Sequence, residues 1–446
     1  MIHFPNSKIQ INSLLTRNYL LVTTYMMINQ MKTLKKILIR LFYIVIFFLS
    51  ISIRAEKKDT SKIDNQLKNS SITTQSGISN SIPNDFTGMT SSAKTLISKI
   101  ALGWNLGNTL EVPGNETNWG NALTTQTLID SVKAAGFNAV RLPCAWNSHL
   151  SDTANYVISP TWLARIKQII DYCYKNDMYV VLNIHWDGGW LENNCTKAKQ
   201  EVNNRKQRIL WNQIAVYFRN YDEHLLFAGC NEPNVDNETE MSVLLSYEQT
   251  FIDAVRATGG RNYYRTLIVQ GPSTDIDKTV KYMTTIPVDV SINRLALEVH
   301  YYSPFQFCLL DKDANWGKMA YFWGAKYHQP AVNGVDRNST FGEEAFVNER
   351  FAKIKTLFVD KGYPVIMGEF GVTRRLSLTG SDLVNHLASR AYYLQYVVQQ
   401  AKNYGLAPFY WDAGYTGDNG TGLFNRNTGA IEDKQAINAL VAGAKK

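Results

Sequence analysis

At 446 residues, with 45% hydrophobic and 12% aromatic side chains, the chain is long enough for one large domain or two average ones and has rings to spare for a surface. Its net charge of +8 is an end effect: residues 1–58 hold nine Lys or Arg against the single acid Glu56, which leaves 37 basic and 37 acidic residues in the remainder. That balance offers no electrostatic footprint for nucleic acid, and the five scattered cysteines (Cys144, Cys173, Cys195, Cys230, Cys308) fit neither a disulfide framework nor a zinc pattern.

From Met31, the expected start, Met-Lys-Thr-Leu-Lys-Lys-Ile-Leu-Ile-Arg is a basic region, followed by a thirteen-residue apolar stretch from Leu41 to Ile53 and then Arg54-Ala55-Glu56. This is the layout of a secretory signal peptide, short of the ~20 residues of a membrane span. Residues 1–55 are therefore expected to be a leader and signal, cleaved near Ala55 to release a secreted chain. The alternative is an uncleaved anchor, should Ile37 to Ile39 extend the span across Arg40. Residues 56–85 are rich in Lys, Ser, Thr, Asn and Gln with almost no aromatics. They cannot bury enough apolar surface to order themselves and predict a disordered polar linker.

Eight apolar runs follow: Ile100–Leu106, Ala139–Pro143, Met178–Ile184, Leu225–Cys230, Thr266–Gln270, Arg294–His300, Pro364–Glu369 and Ala407–Trp411. Short runs bounded by Gly or Pro read as strands buried on both faces. Amphipathic stretches separate them, at Thr127–Ala135, Trp162–Asn176, Lys206–Phe218, Ser242–Val255, Ala345–Val359 and Ser381–Tyr404. Strand and helix in alternation predict parallel β/α units, eight of which close into a (β/α)8 TIM barrel over residues 86–446. A doubly wound sheet is the competing fold, but Gly103-Trp104-Asn105-Leu106-Gly107-Asn108 lacks the spacing of a phosphate loop and leads no helix.

In such a barrel the functional residues lie where the strands end. Two runs end on a glutamate, Cys230-Asn231-Glu232-Pro233 and Met367-Gly368-Glu369-Phe370. One acid after a strand is ordinary, because strands end at polar turns. Two facing one cleft are what cleavage of a glycosidic bond needs. Asn105, Asn108, Arg141, His185, His300, Tyr302, Trp411 and Asp412 collect at the same rim.

Taken together, Gly103-Trp104-Asn105-Leu106-Gly107-Asn108-Thr109, Arg141-Leu142-Pro143, Asn183-Ile184-His185, Asn231-Glu232-Pro233, His300-Tyr301-Tyr302, Gly368-Glu369-Phe370-Gly371 and Trp411-Asp412 resemble glycoside hydrolase family 5. The opening Gly-Trp-Asn-Leu-Gly-Asn-Thr-Leu-Glu and the late Gly422-Leu423-Phe424-Asn425-Arg426 look like those of bacterial and anaerobic-fungal endo-β-1,4-glucanases. The resemblance implies a secreted, retaining endoglucanase with Glu232 as acid/base and Glu369 as nucleophile. Arg141 and Tyr302 would then hold Glu369, His300 would position Glu232, Asn231 would bind the sugar 2-hydroxyl, and His185 would bind sugar hydroxyls.

Trp411 is expected to floor the cleaved sugar, with Asn105, Trp104, Trp186 and Trp190 also on the substrate and Trp119 and Trp146 as further platforms. Trp186 is a departure, since many relatives carry a second His or another polar residue there. The same chemistry on β-mannan, xyloglucan or mixed-linkage glucan is the alternative, and a non-catalytic carbohydrate-binding protein is a third reading that loss of either acid would require. The chemistry implies no cofactor and no metal. The expected partner is the polysaccharide alone, bound by a monomer away from the membrane, with the long insert Pro304 to Phe346 walling the cleft.

Overall fold

All eight apolar runs form strands of one closed parallel barrel in the computed structural model, which describes residues 81–445. The basic leader, the Leu41–Ile53 stretch and the polar segment up to residue 80 lie outside the described residues. The strands are β1 (Gly103–Leu106), β2 (Ala139–Leu142), β3 (Tyr179–Asn183), β4 (Leu225–Ala228), β5 (Leu267–Gln270), β6 (Leu295–Tyr301), β7 (Val365–Phe370) and β8 (Leu406–Asp412). Each pairs with the next, and β8 returns to β1 with Asn105 opposite Trp411. At the start of the described chain, Ile82 N donates to Thr258 O at 3.3 Å and Asp85 N to Gly260 O at 3.1 Å, so the tail of the polar segment is tied to the domain.

The alternation of side chains along each strand separates two cores. Outward residues such as Val140, Leu142, Val180 and Leu182 pack under the helices. Inward residues Ala139, Val181, Leu226, Ala228, Ile268, Ala296, Ile366 and Ala407 fill the lower barrel. Helix Ala93–Lys99, capped by the Ser92 hydroxyl, adds Leu96 and Ile97 to that inner cluster and stoppers the end opposite the site. Above this apolar layer the inward positions turn polar, with Asn105, Arg141, Asn183, Gln270, Glu298 and His300 all buried.

The six predicted helices form at Gln126–Ala134, Pro160–Tyr174, Lys197–Tyr217, Glu238–Arg256, Glu344–Leu357 and Gly380–Asn403. The third starts nine residues before its expected beginning, because its first turns, Lys-Ala-Lys-Gln-Glu-Val-Asn-Asn-Arg, carry almost no apolar period. Helices Ala93–Lys99, Ile276–Tyr282 and Lys434–Ala444 have no counterpart among the predicted elements.

Helix Glu238–Arg256 presses one carboxyl into the wall. Glu248 is fully buried, and its Oε1 accepts from Gln270 N at 3.0 Å. Burial pushes this carboxyl from 4.5 up to about 8. A raised folded value means stability that is complete below the unfolded value and is lost as pH rises through the folded one, at ~1.4 kcal/mol per pH unit within that window. Glu248→Gln should therefore match the parent Tm at about pH 5 and exceed it at about pH 9. Parallel declines of both proteins over that interval would refute the assignment.

Candidate active site

Every strand from β1 to β8 delivers a side chain to one mouth of the barrel, and Arg141 lies at its centre. This guanidinium is fully buried, so its charge must be met by neighbours. Nη1 donates to Glu369 Oε1 at 2.8 Å and to Asn105 Oδ1 at 3.0 Å, Nη2 donates to Asn231 Oδ1 at 2.7 Å, and Nε lies 2.9 Å from Glu298 Oε1. One planar cation thus gathers groups from β1, β4, β6 and β7, a geometry that an ammonium cannot reproduce.

Glu369 reaches the mouth through a β-bulge. Pairing between β6 and β7 steps from Val299–Met367 to His300–Glu369, skipping Gly368. The extra residue re-aims the following side chain. Glu369 Oε2 accepts from the Tyr302 hydroxyl at 3.0 Å and lies 3.7 Å from His300 Nδ1. Burial lifts this carboxyl above its ordinary value, while the His300 and Arg141 cations limit the rise.

Glu232 follows β4 and is the open member of the pair, its side chain 44% exposed against 7% for Glu369. Its Oε1 is 2.7 Å from His300 Nδ1, and its backbone N donates to Glu192 Oε1 at 3.0 Å. Burial works to raise Glu232, but the hydrogen bond and charge of His300 prevail and bring it below 4.5. His300 in turn is pushed up to about 10: burial opposes this, and Glu369, Glu232 and Glu298 overcome it. The proton needed at Glu232 is therefore stored one hydrogen bond away.

Glu232, His300 and Glu369 each present one ligand atom within 4.8 Å of the others, a spacing a cation would fit. The positive charge of this mouth is already supplied by Arg141 and His300. What the arrangement can do is attack on one side of a bond and donate a proton on the other.

His185 completes the rim. Its ring lies over Trp411 at 5.8 Å and 14°, and burial beside the Arg141 and His300 cations keeps it neutral. Trp411 is only partly buried. Trp186, expected on the substrate, stands 43% exposed.

Three expected substrate contacts, Asn105, Trp104 and Trp146, are corrected. Asn105 is fully buried, with Nδ2 donating to Gly368 O at 2.8 Å while Oδ1 holds Arg141. It positions the guanidinium and the bulge. Trp104 is buried edge-on to Phe424, and its Nε1 donates to Asp412 Oδ2 at 2.9 Å. Arg426 lies over its ring and pairs with Asp412 at 3.0 Å. The opening and closing motifs are thus one buttress behind Trp411. Trp146 is buried and donates to Asn183 O. Trp190 is half-buried, with Lys206 Nζ 4.1 Å over its ring and Nε1 donating to Asp187, so one face is already occupied. Trp119, 52% exposed, remains available and shares a polar cleft with Asn121 and Tyr415 beyond β8.

The insert after β6 is anchored rather than free-standing. Trp323 is buried against Tyr392 and Tyr393, and Ser389 binds its backbone N and O. Of the segment only Phe346 lines the cavity at Glu232, together with Ser303 just before it.

Reading strand ends missed Glu298, Glu192 and Gln270. Glu298 carries a visible signal, a charge inside the apolar run Leu295-Ala-Leu-Glu-Val-His-Tyr two residues before His300 and hence on its face.

The chain is similar to known glycoside hydrolases. The model of the cellulase family, glycosyl hydrolase family 5, matches residues 105–417. A xyloglucan-specific endo-β-1,4-glucanase of Bacteroides ovatus is 39% identical over 376 residues, covering 80% of this chain and 72% of the relative. Endoglucanase A of Paenibacillus barcinonensis is 38% identical over 79% of this chain and 90% of its own length. Among solved structures, the Bacteroides ovatus xyloglucanase in complex with a XXXG heptasaccharide superposes with a TM-score of 0.75 at 37% identity, covering 82% of this chain and 79% of that one.

Proposed function

The chain belongs to glycosyl hydrolase family 5, and from that premise we propose that it is a secreted, monomeric, retaining endo-β-1,4-glucanase that accepts xyloglucan as well as unbranched β-glucan. The observation that carries the mechanism is the approach of Glu232 and Glu369 to within 4.8 Å, one oxygen from each. A retaining pair stands about 5–5.5 Å apart, whereas an inverting pair leaves about 6.5–9.5 Å for a water.

Glu369 attacks the anomeric carbon while Glu232 passes its proton to the departing glycosidic oxygen. The covalent glycosyl ester is then opened by water that Glu232 deprotonates, and the original anomeric configuration returns. Arg141 and Tyr302 keep the attacking carboxylate in place, and Asn231, held by Nη2 of Arg141, meets the sugar beside the reacting carbon. Trp411 supports the sugar ring by stacking.

Support for xyloglucan comes from the Bacteroides ovatus relative, a xyloglucan-specific endo-β-1,4-glucanase, from the similar xyloglucanase structure with a XXXG heptasaccharide, and from the exposed Trp186 and Trp119. Export is supported by the basic and apolar pattern from Met31 to Ala55. A reducing-sugar assay on tamarind-type xyloglucan, carboxymethylcellulose, lichenan and galactomannan tests the substrate. Rates on xyloglucan and the glucans should exceed the rate on galactomannan by at least about tenfold, the scale of one lost sugar contact. Equal or faster release from galactomannan would transfer the assignment to mannan.

A further inference from the structure

Beneath the two acids lies a third carboxylate that no reaction step uses. Glu298 is fully buried in the middle of β6. A charge there is costly unless paired, and a hydrophobic residue of similar volume would fill the place more cheaply. It is paired on every side. Oε1 lies 2.9 Å from Arg141 Nε and 3.2 Å from His300 Nε2, and Oε2 accepts from Gln270 Nε2 at 2.7 Å. The adjacent strand also makes room for it: a Cβ on Gly368 would stand 1.9 Å from Glu298 Oε1. The residue skipped by the bulge that aims Glu369 is thus the one whose missing side chain admits Glu298.

We propose that Glu298 is a positioning residue that commits His300 Nε2 as a hydrogen-bond donor, so that Nδ1 alone exchanges a proton with Glu232. The argument rests on the reading of Glu232 as the acid/base. An imidazole with Nε2–H fixed on a buried carboxylate has one nitrogen left, and that nitrogen is 2.7 Å from Glu232 Oε1. In the neutral form Nδ1 accepts from the protonated acid, and in the cation it returns the proton. The same carboxylate braces Arg141 Nε and leaves Nη1 and Nη2 for Glu369 and Asn231. Charged or titratable groups facing this core are Arg141 from β2, Glu232 after β4, Glu369 from β7, and Glu248 from helix Glu238–Arg256 across Gln270. His185 faces His300 from the end of β3.

The test has two arms. In the parent protein, nitrogen-detected NMR of His300 should show Nε2 protonated throughout the titration, with Nδ1 alone losing its proton. Observation of Nε2 as the titrating nitrogen overturns the proposal, with or without turnover. In Glu298→Gln, His300 should titrate about one pH unit lower, and the alkaline limb of kcat/KM should move down with it. The kcat should fall about 10- to 100-fold with KM little changed, and Glu298→Asp should restore part of the limb. A uniform loss of rate at every pH, with both limbs in place, would mean a purely structural residue. Lack of hydrolysis by the parent would instead defeat the functional reading and leave the NMR result to decide this one.

Discussion

Glu369→Ala is expected to lose on the order of 10^5-fold in kcat on polysaccharide and aryl glucoside alike, the scale on which removal of a covalent nucleophile is felt. The loss is indifferent to the leaving group because no other side chain at the mouth can form the glycosyl ester. Arg141 and Tyr302 would remain, but with nothing to hold, and Asn105 and Glu298 would keep the guanidinium in place. The fold should therefore persist, and oligosaccharide binding with it. Small anions such as azide fit the space left by the side chain and should restore turnover, giving a glycosyl azide of inverted configuration. Turnover of Glu369→Ala within about tenfold of the parent would remove the nucleophile from this position.

Glu232→Gln should separate substrates that Glu369→Ala does not. A general acid is worth about 10²–10⁴-fold, and only where the leaving group needs a proton. Hydrolysis of xyloglucan should fall by that factor, whereas release of a dinitrophenolate should form the glycosyl ester at near the parent rate and then stall, seen as a burst. The pH profile sharpens the test. Glu232 and His300 share one proton at 2.7 Å, and His300 is pushed up to about 10. Removing the carboxylate takes away one of the anions that raise His300, so its proton is lost at lower pH. The alkaline limb on polysaccharide should disappear in Glu232→Gln. A parental profile with parental leaving-group dependence would assign the acid elsewhere.

The eight strands were legible because each is a short apolar run with a turn signal at its end, and a strand buried on both faces needs nothing more. Helices Ala93–Lys99 and Ile276–Tyr282 were not, since seven residues with two or three buried side chains produce too little period to register; Lys434–Ala444 buries five residues, but three of them are Ala or Gly, which mark an apolar face only weakly. Among the site residues, Glu232, Glu369, Arg141, His300 and Tyr302 converge because they end strands that the closure of the barrel brings to one rim. The tryptophans divided otherwise. Trp104 and Trp119 lie 15 positions apart in motifs of equal promise, yet one is a buried brace and the other a half-exposed ring.

The sequence alone determined the order of the strands and which residues occupy their ends, because burial on both faces is written in composition and a polar residue after such a run has one place to go. Only the tertiary structure decided which of those residues meet. Period two places Asn105, Arg141, Glu298 and His300 inside the barrel but does not say at what height, nor that a bulge at Gly368, whose missing side chain leaves room for Glu298, turns Glu369 into the mouth. An aromatic ring in a sequence is equally a core residue and a sugar platform. Its role depends on whether Phe424, Arg426 or water lies against its face, and that is settled by chain segments more than 300 residues away.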